Sequence, residues 1–304
     1  LANANATRPW QIYADFAQHL IAIARPLYAK EPLGIDLDAA VYAFDASTID
    51  LCLSLHPWAP FRSTKVAIKL HTLLDLHGSI PSFIHITDGK THEVNVLDDL
   101  VLEAGAFYLM DRGYLDFRRL FTLHQQYVGF VIRAKDNLRF AWVSAQPVDA
   151  STGLRADQTI RLVTPKSKTD YPQPLRRVSF RDPETGKHLV FLTNLVEPPA
   201  LTIAAIYKNR WQIELFFKWL KQNLAVKHFF GNSINAVKAQ IWIAVCTYLM
   251  VLIAIKHHRL PVSPQIFLHL IETNIFEKIT LDQLVANAVL NECKPDMGKQ
   301  LILL

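Results

Sequence analysis

Ala40-Val41-Tyr42-Ala43-Phe44-Asp45 and Ala106-Phe107-Tyr108-Leu109-Met110-Asp111 share one build: a short apolar run closed by an aspartate. Such runs read as strands buried on both faces. Between them, residues 66–76 and 80–87 read as two further strands, joined at His77-Gly78 in a hairpin-like turn. Asp88-Gly89 ends the second of these, and residues 94–103 have a helical texture. After Asp111 come Arg112-Gly113-Tyr114, an amphipathic helix over 115–126 and a fifth strand over 127–134. Upstream, residues 10–28 alternate at helical period, with Pro26 near the end.

The first three strands can form an antiparallel meander, and the fourth can lie parallel beside the first. That order is the ribonuclease-H-like α/β arrangement, a mixed sheet flanked by helices. In it the C-terminal ends of the first and fourth strands are neighbours, so Asp45 and Asp111 are expected to face each other across a small gap. From about residue 137 to 194 the texture changes to short β-branched runs (159–163, 177–180, 189–192) separated by Pro, Gly, Asp and Ser, which read as a β-rich insertion. One long helix over 201–224 follows, its start favoured by Pro198-Pro199, and then more helices broken at Pro261 and Pro264. The expected organisation is a helical segment over 1–40, the first part of the core over 41–136, the insertion over 137–197, the second part of the core over 198–260 and a helical tail over 261–304.

The long helix carries Tyr207, Arg210, Trp211, Glu214, Lys218 and Lys221. At about 100° per residue, Tyr207, Arg210, Glu214 and Lys221 fall within roughly 60° of one another, and Lys218 lands in the same arc. Ile213, Phe216, Phe217, Leu220 and Leu224 gather on the other side as a core-facing stripe. One carboxylate thus stands in a row of cations beside an aromatic hydroxyl. On a generic helix this is a salt-bridged surface face, Glu214 pairing with Arg210 or Lys218. It is also what a site needs where an acid holds a metal and cations hold a phosphate chain.

A length of 304 residues and 51% hydrophobic content suit one large domain with an insertion and exclude a disordered or fibrous chain. The net charge of +5 alone would not indicate nucleic acid, but the distribution says more. Lys208, Arg210, Lys218, Lys221, Lys227 and Lys238 stand against Glu214 alone, and Arg176, Arg177 and Arg181 lie close together. Clusters of this kind suggest a polyanion partner; the alternative is a solvated basic face. Cys52, Cys246 and Cys293 are scattered without metal or disulfide spacing and read as free thiols in a reducing cytoplasm. The start has no signal pattern. Residues 241–255 are strongly apolar but fall short of the ~20 needed to span a bilayer, so a buried core helix and no membrane partner are expected.

Asp45, Asp111 and Glu214 would make an all-oxygen set. Hard divalent cations such as Mg²⁺ take oxygen ligands, with waters and phosphates completing the shell. Two ions about 3.5–4 Å apart can activate a water or a 3′-hydroxyl and stabilise the departing oxygen. His and Cys do not cluster with these acids along the chain, which argues against zinc. A strand-end Asp by itself is often a turn or cap residue, as Asp50, Asp75 and Asp88 illustrate.

The spacing Tyr207-x2-Arg210-x3-Glu214-x6-Lys221 resembles the YREK motif of bacterial insertion-sequence DDE transposases of family four. Phe44-Asp45-Ala46-Ser47-Thr48-Ile49 resembles that family's first Asp segment, and Met110-Asp111-Arg112-Gly113-Tyr114 its second. The β-rich stretch before Glu214 also looks like the family's insertion, so the resemblance covers essentially the whole chain. It implies Mg²⁺-dependent DNA strand cleavage and strand transfer with two ions, Mn²⁺ being able to substitute. It implies double-stranded DNA as partner (element ends and target), a homodimer in the synaptic complex, and a bacterial, cytoplasmic, nucleoid-associated setting. Asp45, Asp111 and Glu214 would then be the catalytic metal ligands. Tyr207, Arg210, Lys218 and Lys221 would hold DNA phosphate, Arg bidentately and Lys as a point charge. Trp211, a common residue at this place in the family, joins them, unless it serves packing; Trp142 would stack on an unpaired base or pack at the surface. His92 lies in a segment similar to the family's and receives no role. Relatives carry an N-terminal helical domain that helps recognise the element end. Here the chain starts at Leu1 as if in mid-protein, and only that domain's exit is expected. A second reading is therefore an idle remnant that binds DNA or inhibits the full-length enzyme by dimerising. A third, another nuclease of the same fold, fits the metal site but not the Tyr-Arg-Glu-Lys spacing.

Overall fold

Among the described residues, two helices, α1 (Ala2–Thr7) and α2 (Gln11–Tyr28), lead into a sheet of ten strands. The computed structural model describes residues 2–35, 37, 39–52, 56, 58–62, 65–223 and 229–292; Leu224, Lys227 and Cys293 lie outside them. The strands are β1 (Val41–Leu51), β2 (Pro60–Arg62), β3 (Lys65–Asp75), β4 (Ile80–Asp88), β5 (Phe107–Met110), β6 (Gly129–Arg133), β7 (Phe140–Gln146), β8 (Leu154–Leu162), β9 (Leu175–Arg181) and β10 (His188–Thr193). Helix α3 (Phe117–Gln125) lies between β5 and β6, and the short α4 (Pro165–Asp170) between β8 and β9. After β10 come α5 (Ala200–Lys208), α6 (Trp211–Asn223), α7 (Ile234–His257), α8 (Pro264–Asn274) and α9 (Leu281–Glu292).

The meander is present: β1 pairs antiparallel with β3, and β3 with β4. The β3–β4 turn needs Gly78, whose φ is +84° and where a Cβ would come within 2.4 Å of the Tyr28 ring. Strands β1, β5 and β6 are mutually parallel. The β-rich stretch continues the same sheet, because β10 pairs antiparallel with β6 and the order runs β2-β3-β1-β5-β6-β10-β9-β8-β7.

Alternation along β1 divides the core between the two faces of the sheet. Tyr42 and Phe44 point into a cluster with Met110, Tyr114, Leu120 and Phe130. Val41 and Ala43 point the other way, into a larger cluster built with α2, α5, α6 and α7. Asp45 continues the second parity, so its side chain belongs to the face that α5 and α6 cover.

Four local expectations change. Strand β1 does not end at Asp45 but runs on to Leu51, because Ser47, Ile49 and Leu51 keep pairing with β3. Residues 94–103 are not an α-helix; a 3₁₀ helix spans Glu93–Asp99. The long helix over 201–224 is divided into α5 and α6. The apolar stretch over 241–255 is part of a longer element: α7 has 24 residues, enough by length and composition to cross a membrane. In this fold it is mostly buried, with the Tyr28 hydroxyl donating to Leu252 O at 2.8 Å and Trp10 stacked on Trp242.

Candidate active site

Parallel pairing between β1 and β5 runs from Val41↔Phe107 to Phe44↔Met110 and stops there. The next residue on each strand is Asp45 and Asp111. The β5–β6 register ends one step further along the sheet at Met110↔Ile132, which brings Arg133 to the same edge. The two aspartates therefore stand side by side at the C-terminal edge of the parallel strands, where open α/β sheets bind their ligands. Asp111 leaves β5 with an extended backbone (φ −82°, ψ 167°), and its carbonyl accepts the Tyr114 N–H at 3.0 Å.

The third acid arrives on α6, and the joint between α5 and α6 aims its neighbours. Asn209, Arg210, Gln212 and Ile213 each donate their N–H to the carbonyl three residues earlier, the tighter 3₁₀ spacing. Asn209 competes with the regular helix, since its side-chain amide donates to Ala205 O at 3.3 Å and Leu33 O at 3.4 Å. Arg210, at this joint, reaches across to β1 and donates from Nη1 to Asp45 Oδ2 at 2.6 Å. The same nitrogen lies 3.6 Å from Glu214 Oε1. Its guanidinium sits 5.8 Å from the centre of the Tyr207 ring, and that ring packs against Phe191 at 4.6 Å. The sequence-expected surface pair Arg210–Glu214 is thus real, but a buried aspartate holds the arginine more closely.

Burial pushes the Asp45 carboxyl up to about 6, with Arg210 and the Ala46 N–H opposing and Glu214 adding to the rise. Burial works against the Arg210 charge, yet Tyr207, Asp45, Asp111 and Glu214 together hold it above its ordinary value. Burial also lifts the Tyr207 hydroxyl to about 12, so it stays protonated at neutral pH. One guanidinium therefore stands in the field of all three acids.

Among the described residues, no three His, Cys, Asp or Glu side chains are close enough to share one ion. The donor set is nevertheless made of carboxylates, the ligands of a hard cation. Asp45 and Glu214 already converge on the positive charge of Arg210, which serves as a stand-in cation. In chemistry, these residues fit Mg²⁺ or Mn²⁺.

The other expected residues distribute around this centre. Lys221 Nζ donates to Thr48 O of β1 at 2.9 Å, tying α6 to the strand. Lys218 is exposed and lines a groove of about 260 Å³ with Gln212, Trp219 and Tyr248. Trp211 is 62% exposed, so packing does not account for it. It lines a second groove of about 610 Å³ that opens beside Arg210, with Tyr207 and Lys208 on one wall and Phe180 and Leu189 on the other. Trp142 is exposed on the edge strand β7. The arginine cluster of the insertion is partly turned inward: Arg176 binds Asp157, and Arg177 donates to Gln158 at 2.9 Å over the Phe140 ring. His92 precedes the 3₁₀ helix with an extended backbone. Sequence reasoning missed two groups near the acids: Arg133, whose charge acts on Tyr207, and Thr72, buried directly opposite Asp45 in the β1–β3 register. Arg133 closes an apolar strand just as Asp45 and Asp111 follow theirs, a signal that was legible.

Residues 36–250 match the family model described as the transposase DDE domain. The putative transposase y4zB of Sinorhizobium fredii is 30% identical over 282 residues, covering 91% of this chain and 77% of that protein. A probable transposase for insertion sequence element IS5377 of Geobacillus stearothermophilus is 32% identical over 208 residues, or 68% of this chain and 54% of that protein. A putative transposase for insertion sequence element IS4SA of Synechocystis is 25% identical, with 60% and 52% covered, so the chain spans about half the length of these last two relatives. Among solved structures, a piggyBac transposase synaptic complex with hairpin DNA aligns over 87% of this chain and 59% of its own, at 11% identity and a TM-score of 0.43. On the match over residues 36–250 and the y4zB relationship, this chain belongs to the DDE transposase family.

Proposed function

We propose that this chain is the strand-cleaving and strand-joining domain of an insertion-sequence transposase of the YREK branch, acting with two Mg²⁺ ions on double-stranded DNA at the bacterial nucleoid. The observation that carries this reading is that Arg210 binds Asp45 at 2.6 Å and lies 3.6 Å from Glu214, at the edge where the parallel pairing of the strands leading to Asp45 and Asp111 ends. Divalent ions, when bound, supply Lewis acidity to the attacking water or 3′-hydroxyl and to the departing oxygen. Asp45, Asp111 and Glu214 would hold them. The burial of Asp45 keeps bulk water from one side of the site. Arg210 can present a planar fork to a phosphate, with the Tyr207 ring limiting its swing. Trp211 offers an exposed face beside it, and Lys218 adds charge on the rim. Hydrolysis at the element end would leave a 3′-hydroxyl and a 5′-phosphate. That hydroxyl would then attack a target phosphodiester and release a target 3′-hydroxyl, two copies of the chain holding the paired ends.

Asp45→Ala, Asp111→Ala and Glu214→Gln should each abolish Mg²⁺-dependent cleavage of an element end while largely sparing DNA binding. Full cleavage by any of the three would sink the assignment. The second reading, a chain that binds DNA without cutting it, draws on the same Arg210–Asp45 contact, which would then stay closed. Strand transfer with precleaved ends separates the two, and no product at any Mg²⁺ or Mn²⁺ concentration would favour the second.

A further inference from the structure

The two ends of the strand order are finished differently. At one end β2 has three residues, the first of them Pro60, and protected edges are short and proline-bearing in this way. At the other end β7 pairs with β8 alone among the described residues. Its seven residues, Phe140–Gln146, include no charge and no proline, and all from Ala141 to Gln146 are exposed. Trp142 is 64% exposed and Val143 48%. An uncharged edge of this length is a template for another strand.

That edge is complementary to itself. Its register with β8 shifts between Trp142 and Ser144, Val143 being the extra residue. Trp142 stands opposite Ile160 and Ala145 opposite Gln158, so these two side chains share one face of the sheet. Ala141 and Gln146, opposite Arg161 and Asp157, share the other face. A second β7, antiparallel about a two-fold axis between Val143 and Ser144, would set Trp142 against Ala145 and Ala141 against Gln146. Each pair then lies on one face, a large ring over a small side chain. The same operation brings Arg139 of each copy beside Asp149 of the other. Both are exposed, and the bonds that Asp149 accepts from Ser151 use only Oδ1. An in-register parallel pairing would instead put arginine beside arginine. DNA is the poorer occupant, because β7 carries no cation to hold a phosphate.

We infer that β7 is a docking edge for a second copy of this chain, pairing antiparallel with its own counterpart and joining the two sheets in the absence of DNA and metal. A contact of this size sits at the low end of specific interfaces, about 1,200 Å² or less, so the dimer is weak and grows with concentration. It is independent of the cleavage chemistry proposed above. The test is sedimentation velocity of the full chain over a range of concentrations, in EDTA and without DNA. Wild type should pass from monomer to dimer. Ser144→Lys sets two lysines together at the axis and should raise the dimer Kd at least roughly 10-fold. Arg139→Glu should weaken the dimer, and adding Asp149→Lys to it should restore the pairing. Register is read by cysteine cross-linking: Ala141→Cys and Gln146→Cys proteins should form a disulfide-linked dimer when mixed and not when each is oxidised alone. A monomer at every concentration would overturn the inference. So would a dimer that Ser144→Lys leaves unchanged, since the copies would then meet elsewhere. A Trp142→Ala variant that loses affinity for a single-stranded oligonucleotide, in a chain that stays monomeric, would overturn it in favour of a base-stacking role. Loss of cleavage in Asp45→Ala with no dimer in the wild type sinks the inference alone, and a β7 dimer with full cleavage by Asp45→Ala sinks only the cleavage reading.

Discussion

Arg176 meets Asp157 between β9 and β8 through two hydrogen bonds of 2.8 Å, whereas Arg210 meets Asp45 through one of 2.6 Å and leans towards Glu214 at 3.6 Å. Both pairs are largely buried. In the first, the remaining Arg176 nitrogen donates to the carbonyls of Leu195, Val196 and Pro198, so the guanidinium also staples the link between β10 and α5. In the second, one arginine is shared by several acids, burial holds Asp45 up at about 6, and the hydroxyl of Thr72, opposite Asp45 in the strand register, is unpaired. The same two residue types thus build a saturated structural joint in one place and an under-satisfied one in another. An ion pair that satisfies every hydrogen-bonding group has no reason to exchange partners; the one at Asp45 does.

The largest expected effect concerns catalysis. Asp45→Ala, Asp111→Ala and Glu214→Gln should lower cleavage of a labelled element end by about a thousandfold or more, the scale of losing a group central to the chemistry. Asp157→Asn should leave the residual cleavage of folded protein within a few-fold of the wild type. Equal losses at both pairs would erase the distinction.

The second effect is on stability, with opposite signs. Asp157→Asn leaves a buried arginine without its counter-charge and should cost about 3–5 kcal/mol in urea unfolding. Asp45→Asn should instead stabilise the metal-free protein at pH 7, because it removes a carboxylate that burial disfavours. A destabilised Asp45→Asn variant would contradict this reading.

The third is the pH dependence behind that sign. Asp45 rises from the ordinary 3.8 to about 6 in the fold. Its contribution to stability is therefore fully present below the unfolded value and is lost as pH rises through the folded one. At about 1.4 kcal/mol per unit, the loss between pH 4 and pH 7 is on the order of 3 kcal/mol. In EDTA, the difference between the wild type and Asp45→Asn should open across that window, and an unchanging difference would refute it.

The smallest effects lie on the rim. Lys218→Ala should weaken DNA binding at all sequences alike and reduce the salt slope by about one counterion, measured by fluorescence anisotropy at several salt concentrations.

Much of this was legible before any coordinates. Two apolar runs closed by aspartates established neighbouring parallel strands, since buried central strands have no polar face to show. The residues of the stripe on α5 and α6 were legible too, but their geometry was not. Helical period treats residues 201–224 as one rod and cannot register that the Asn209 side chain competes for the backbone and tightens the turn at Arg210. Nor could it show that Arg210 faces a buried acid on a strand far away in sequence. The cluster of Arg176, Arg177 and Arg181 looked like a polyanion surface because Asp157, the partner of Arg176, lies across a strand pair. Strand β7 was missed for the opposite reason: from Ala141 to Gln146 both of its faces are exposed, so no alternation marks it.

The most direct test is a Mn²⁺ anomalous diffraction map of the chain bound to an element-end duplex. The expected result is metal density ligated by Asp45, Asp111 and Glu214, with the Arg210 guanidinium moved from Asp45 to a DNA phosphate. Arg210 still bound to Asp45, with Mn²⁺ elsewhere or absent at saturating concentration, would contradict it.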